Sequence, residues 1–250
     1  DAELFCSHMG NGTGREAARL LPHPDIQTEA VKQNLENLLL HWNGDKAQMS
    51  FHLHQLFIKH AENGEFHYFQ YGGTFVLSCV DTEKGWKIRK LLFDLCWTEG
   101  NTYWVSDWKL IDFHMPKRHK ALIRPERDGV WNVIPRTEEP QSEEEKIKEL
   151  LFLYGWVIDT EDYALFSKIA VPGICIRDGY HGTVFQGTEN WISFLKELNA
   201  KEPCLHHTYQ VKEIIAGEKR AAAKMCRLEP NRIGSKTING DTWIFDWLTL

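Results

Sequence analysis

His52 and His54 stand one residue apart in Lys46 to Lys59, a stretch that reads as a strand, with His60 and His67 nearby. Alternation along a strand puts both imidazoles on one face. Such a His-x-His pair has the chemistry to bind a metal ion. The reading preferred here is a polar strand face with no metal. Met9-Gly-Asn-Gly-Thr-Gly14 is glycine-rich, but it lacks the Gly-Lys-Ser/Thr ending of a phosphate loop and reads as a turn. The six cysteines, Cys6, Cys79, Cys96, Cys175, Cys204 and Cys226, form no CxxC pair and sit mostly in apolar runs. Buried free thiols in a reducing compartment are expected, and hence a cytoplasmic protein.

The chain has 250 residues and a net charge of -6. That length holds one large domain or two of ordinary size. The negative charge and the lack of a Lys/Arg run argue against nucleic-acid binding. The longest apolar run, Leu150 to Ile158, is too short to cross a bilayer, so no membrane partner is expected.

The elements that must position any site divide at Arg136 to Glu145, a polar, acidic stretch with Pro140. It predicts a linker over 136–142 between domains at 1–135 and 143–250. Ser142 and Glu145 have capping-box spacing. The helix that follows carries an apolar stripe at Ile147, Leu150, Leu151, Tyr154 and Ile158. Asp159-Thr160 is expected to cap a second helix through Phe166. A short strand at Ile174 to Ile176 and a helix from Thr188 to Leu198 come next. Leu205 to Ile215, Lys219 to Leu228 and Thr242 to Leu250 then read as strands. In the first half, strands are expected at Lys46 to Lys59, Phe66 to Val80, Trp86 to Trp97 and Tyr103 to Phe113. Thr98 to Asn101 would be a hairpin turn. Gly14-Arg-Glu16 and Gly187-Thr-Glu189 each open a helix. Gly44-Asp45-Lys46 and Gly217-Glu218-Lys219 each mark a hairpin, 30 residues further on in both halves.

This order resembles the nuclear transport factor 2-like superfamily, in its polyketide-cyclase and dehydratase-like branch. The carrying residues are Gly14-Arg-Glu-Ala-Ala, Asn43-Gly-Asp-Lys-Ala, Tyr71-Gly-Gly-Thr-Phe and Gly85-Trp-Lys-Ile. The resemblance implies an α+β fold in two tandem copies. Each would be a cone-shaped barrel of curved antiparallel sheet with helices covering one side. The first copy begins at its first strand, and the second stops before any counterpart of Gly85-Trp-Lys-Ile. Either the chain is a fragment or partner segments complete the copies.

Related bile-acid and scytalone dehydratases use a Tyr and an Asp from the first helices and a His from a strand. Tyr154, Asp159 and His207 are similar in order, with His206 beside them. The resemblance implies His207 as base, Asp159 as its orienting partner and Tyr154 as hydrogen-bond donor. An imidazole moves protons near neutral pH, a carboxylate on its other nitrogen fixes the tautomer, and a phenol donates without ionising. The plainer readings are a core tyrosine for Tyr154 and a helix cap for Asp159. His206 and His207 face opposite sides of a strand, so at most one enters the cone. In the first copy the His206-His207 positions correspond to Gln33 and Asn34, and no site of this kind is expected there.

The implied activity is a cofactor-free, metal-free dehydratase or isomerase acting on a cyclic, largely apolar substrate such as a steroid, polyketide or phenolic. The rival is a non-catalytic binding or scaffold protein. A third reading is an accessory subunit resembling the small subunit of ring-hydroxylating dioxygenases. The fold also allows a homo-oligomer or an intramolecular pairing of the two domains.

Overall fold

Long strands rich in aromatic and branched apolar side chains build the first half. The computed structural model describes residues 2–110, 121–135, 141–178, 182–201, 208–228, 237–239, 242–244 and 247–249. The chain divides into two compact units, Asp1–Glu139 and Pro140–Leu250. Among the described residues, no helix is long and apolar enough to cross a membrane.

The first unit is built on one sheet. Its strands are β1 (Glu3–Cys6), β2 (Gly10–Thr13), β3 (Ala30–Asn43), β4 (Lys46–His60), β5 (Phe66–Val80) and β6 (Lys87–Gly100), in the order β2-β1-β6-β5-β4-β3. All neighbours pair antiparallel except β1 and β6. One face carries Leu53, Phe57, Phe69, Tyr71, Phe75, Phe93 and Leu95, which form the core with Trp104, Val105 and Trp108. The other face carries Ser50, His52, His54, Gln70, Thr74 and Asp94, polar and buried all the same. Part of that face is covered by α2 (Pro125–Asp128) and α3 (Val130–Val133), with α3 packed on β3 and β4. The Asp94 carboxylate accepts from Leu122 N at 2.6 Å and Ile123 N at 2.9 Å, tying the start of this segment down. Gln48 Nε2 donates to Asp128 O at 2.6 Å and His41 Nδ1 to Ile134 O at 2.9 Å, tying down its end. A helix does open at Gly14: Gly14–Ala17 (α1) is a single turn that passes into a 3-10 turn at Ala18–Leu20.

Two expectations in this unit are corrected. No strand starts at Tyr103: Thr102–Val105 is a 3-10 turn. Trp104, Val105 and Trp108 are buried while Tyr103 is exposed, which is the spacing of a helical turn and not strand alternation. The rest of the expected strand, from residue 111, lies outside the described residues. Nor does the chain turn at Thr98 to Asn101. β6 runs to Gly100, paired with Phe69, and Asn101 N still donates to Tyr68 O at 2.8 Å.

The second unit opens on α4 (Glu143–Thr160). Ser142 Oγ accepts from Glu145 N at 3.2 Å, and Ser142 N donates to Glu145 Oε2 at 2.8 Å, closing the expected capping box. Ser142→Ala should cost about 1 kcal/mol, read as a lower thermal midpoint with unchanged far-UV dichroism. The buried side of α4 holds Phe152, Trp156, Val157 and Ile158, whereas Leu150 of the expected stripe is exposed. Asp159-Thr160 is not a cap either. α4 runs through both, Thr160 Oγ1 donates back to Trp156 O at 2.6 Å, and Glu161 ends the helix at φ 57°. Asp162 caps α5 (Tyr163–Ile169), its carboxylate accepting from Leu165 N at 3.0 Å.

A hairpin of β7 (Cys175–Asp178) and β8 (Thr183–Gln186) leads to α6 (Thr188–Lys201). Phe185, Trp191 and Phe194 pack ring to ring between β8 and α6. β9 (Thr208–Ala216) and β10 (Ala221–Leu228) form the hairpin expected at Gly217, and Trp247–Thr249 pairs on the far side of β10. A separate short pair joins Thr237–Asn239 to Thr242–Ile244. The unit is thus mixed α+β, as is the first, though the first holds few helical residues.

Candidate functional site

α4 packs on β9, and this contact positions the tyrosine singled out by the sequence. Tyr154 is half-buried and lies over Tyr209 at 6.1 Å between ring centroids, with planes 29° apart. Phe166 of α5 flanks it at 6.1 Å. Tyr209 itself is fully buried. Asp159 sits half-buried in the last turn of α4. Five residues of helix rotate a side chain by about 140°, so Tyr154 and Asp159 leave α4 in different directions. His206 and His207 lie outside the described residues. Beside this cluster, Asn199 Nδ2 donates to the Tyr163 hydroxyl at 3.3 Å, and burial raises the Tyr163 pKa above its ordinary value.

In the first unit, His52 and His54 share one face as alternation requires, and both are buried. Asn37 Nδ2 donates to His52 Nδ1 at 3.0 Å, and His54 Nε2 donates to Gln70 Oε1 at 2.9 Å. Gln70 Nε2 passes the chain on to Glu99 Oε2 at 2.8 Å, and the Tyr68 hydroxyl donates to Glu99 Oε1 at 3.1 Å. Burial lowers the His54 pKa, against a smaller upward pull from the Gln70 hydrogen bond. Among the described residues no group of three or more His, Cys, Asp or Glu is placed to hold a metal ion. Amide partners, Gln70 in turn bonded to the Glu99 carboxylate, make this pair part of a hydrogen-bonded layer inside the protein.

The opposite face of the same sheet holds a histidine that sequence reasoning missed. His8 is fully buried, 5.1 Å from the Phe93 ring and 4.3 Å from that of Trp108. Neither ring nitrogen has a hydrogen-bond partner among the described residues. Burial lowers its pKa from 6.5 to about 4. Nearby, the Tyr71 hydroxyl donates to Gln55 Oε1 at 2.6 Å, and burial drives its pKa up.

No protein-family profile matches the chain, and no curated protein matches it. Among solved structures it is similar to a hexachlorocyclohexane dehydrochlorinase, LinA type 2. That match has 18% identity, covers 40% of this chain and 68% of the other, and has a TM-score of 0.32. A LinA-type 3 dehydrochlorinase from Novosphingobium barchaimii matches at 18% identity over 40% and 69%, TM-score 0.31. A nuclear transport factor 2-like superfamily protein from Salmonella enterica matches at 15% over 37% and 66%, TM-score 0.27. These are partial likenesses, and none of them assigns a role to a residue of this chain.

One signal could have found His8. It is two residues from Cys6, at the end of a short apolar strand, where a buried position is the natural expectation. Tyr209 was legible too, as an aromatic near the start of a predicted strand. Its stacking on Tyr154 was not, because it depends on how α4 crosses β9.

Proposed function

We propose that the protein is a cofactor-free lyase or isomerase, built from two nuclear transport factor 2-like copies at 1–135 and 143–250 joined by a linker at 136–142. Its site lies in the second copy. The observation that supports this is the stack of Tyr154 on Tyr209. His207 is two positions from Tyr209, and residues two apart in a strand share a face. The phenol of α4 is therefore held against the face on which a strand running back to His207 would present its imidazole. In the reaction, His207 removes a proton beside a carbonyl of a cyclic, largely apolar substrate. Asp159 holds the imidazole tautomer, and Tyr154 donates to the oxygen on which negative charge develops. The first unit has a different part. Trp104, Val105 and Trp108 pack into the core on the middle of its sheet, which leaves no room there for a site of this kind.

The test is exchange of α-protons of cyclic ketones in heavy water, followed by proton NMR, with no cofactor added. The intact protein should catalyse exchange. His207→Ala should slow it at least a hundredfold, and Tyr154→Phe should lower kcat with little change in KM. Exchange that survives His207→Ala unchanged would sink the assignment. The non-catalytic binding protein, or an accessory subunit resembling that of ring-hydroxylating dioxygenases, is the reading left if ketones bind and no exchange occurs.

A further inference from the structure

A pocket of about 390 Å³ opens at the Gly44 end of the first unit's sheet, on the face that carries Leu53 and Phe57. It is lined by Leu40, Trp42, Ala47, Met49, Cys79 and Trp86, with only the backbone edge of Gln48 beside them, since the Gln48 amide bonds to Asp128 O on the other face. The floor follows from strand register. Trp42 pairs with Ala47, Ala47 with Cys79 and Cys79 with Ile88, so one row of side chains crosses four strands. Leu40 and Met49 form the next paired row.

The walls are held in place before any ligand arrives. Gly44 turns the β3–β4 hairpin at φ 59°, and Asp81 N donates to Asp45 O at 2.8 Å. Trp86 is projected by the tight turn Thr82–Gly85. There Gly85 N donates to Thr82 O at 2.8 Å, the Thr82 hydroxyl to Gly85 O at 2.8 Å, and Gly85 has φ 83°. A rigid, open apolar site loses little order on binding.

We propose that this pocket binds an uncharged, apolar ring compound of about two to three fused rings, a size suited to a cavity of this volume. No charged side chain lines it. The one ionisable group there, the Cys79 thiol, is kept neutral by burial, which raises its pKa. Two indoles and the Met49 thioether offer polarisable surface to a flat ring. Leu40 is 43% exposed and Trp86 48%, so a ligand would remove apolar surface from water. The site is independent of the acid/base groups proposed in the second copy.

Nile red, an uncharged aromatic dye, tests this on the full chain. Its emission should rise and shift to the blue with a saturable component that belongs to this pocket. Trp86→Ala, at an exposed turn, should weaken binding at least tenfold. Ala47→Phe, which fills the floor, should do the same, with far-UV dichroism and the unfolding midpoint of both variants unchanged. The saturable component should be lost in the two pocket variants and kept in the full chain altered only at Tyr154, which separates this site from the proposed catalytic one. Absence of saturable binding, or binding that both pocket variants leave intact, would overturn the proposal. So would a concentration-dependent dimer that the dye dissociates, because the face would then belong to a second copy of the chain.

Discussion

Between pH 7 and pH 4 the protein should lose about 3 kcal/mol of stability through His8 alone. Its pKa is about 4 when folded and 6.5 in its ordinary state, because the imidazole is buried between Phe93 and Trp108. In that window the unfolded chain binds a proton that the folded one refuses, so stability falls as pH falls. The contribution is intact above pH 6.5, declines through the interval and levels off below pH 4. Each pKa unit is worth about 1.4 kcal/mol, which sets the total. Urea unfolding of the intact chain at several pH values measures it. His8→Leu should remove this component of the slope, leaving a difference between the two proteins that grows towards low pH. The burial of His54 acts in the same direction, but it is common to both proteins and cancels in the comparison. A His8 ring proton that titrates near 6.5 by NMR would overturn the prediction.

Adding one methyl group at either of two adjacent glycines should cost about 3 kcal/mol. Gly72 and Gly73 lie in the middle of β5 and serve opposite faces. A Cβ on Gly72 would stand 2.0 Å from Trp97 Nε1 and 2.4 Å from its Cε2. On Gly73 it would stand 2.2 Å from Phe93 Cε2 and 2.9 Å from Asp94 O. Both aromatic rings are buried, and Gly73 would also meet a backbone oxygen, so neither site relaxes by swinging a surface side chain away. The register shift between the two glycines, where the partner strand steps from Trp97 to Leu95, is part of the same arrangement. Gly72→Ala and Gly73→Ala should each lower the unfolding midpoint strongly. Gly173→Ala, with nothing within 4 Å, should stay within about 0.5 kcal/mol of the parent. Equal midpoints for all three variants would show that Trp97 and Phe93 have room to move.

The long strands were legible because they are rich in aromatic and β-branched residues and are bounded by turn residues such as Gly44 and Gly64. Lys46 to Lys59 was expected and Lys46–His60 is found, while Phe66–Val80 matches its expectation at both ends. The capping box at Ser142 was legible for a local reason, since both partners are three residues apart. What the sequence did not show depends on distant chain. His52 and His54 read as a polar face, and polar faces of strands usually meet water. Their burial belongs to tertiary packing, as that of their neighbours Gln48 and Asp94 does to a segment some 30 to 80 residues away, and that packing leaves no mark on local periodicity. The strand expected at Tyr103 failed because aromatic residues favour strands, whereas the spacing of Trp104 and Trp108 suits a turn packed on a core. Of the candidate site, the sequence supplied Tyr154 and its residue class. The ring it lies on could be seen only once α4 and β9 had met.

The discontinuity in β3 bears on how the protein behaves in concentrated solution. β3 is an outermost strand of the six-stranded sheet, and strands in that position offer unused backbone groups to other chains. Its pairing with β4 shifts between Glu36 and Leu39, where Asn37 adopts φ 54° and its amide is engaged by His52. A foreign strand pairing along this margin would find Ala30 to Glu36 in one phase and Leu39 to Asn43 in another. It would have to stop at the break or copy it. A break of this kind would hinder fibril growth along β3, the longer of the two edge strands described in this sheet.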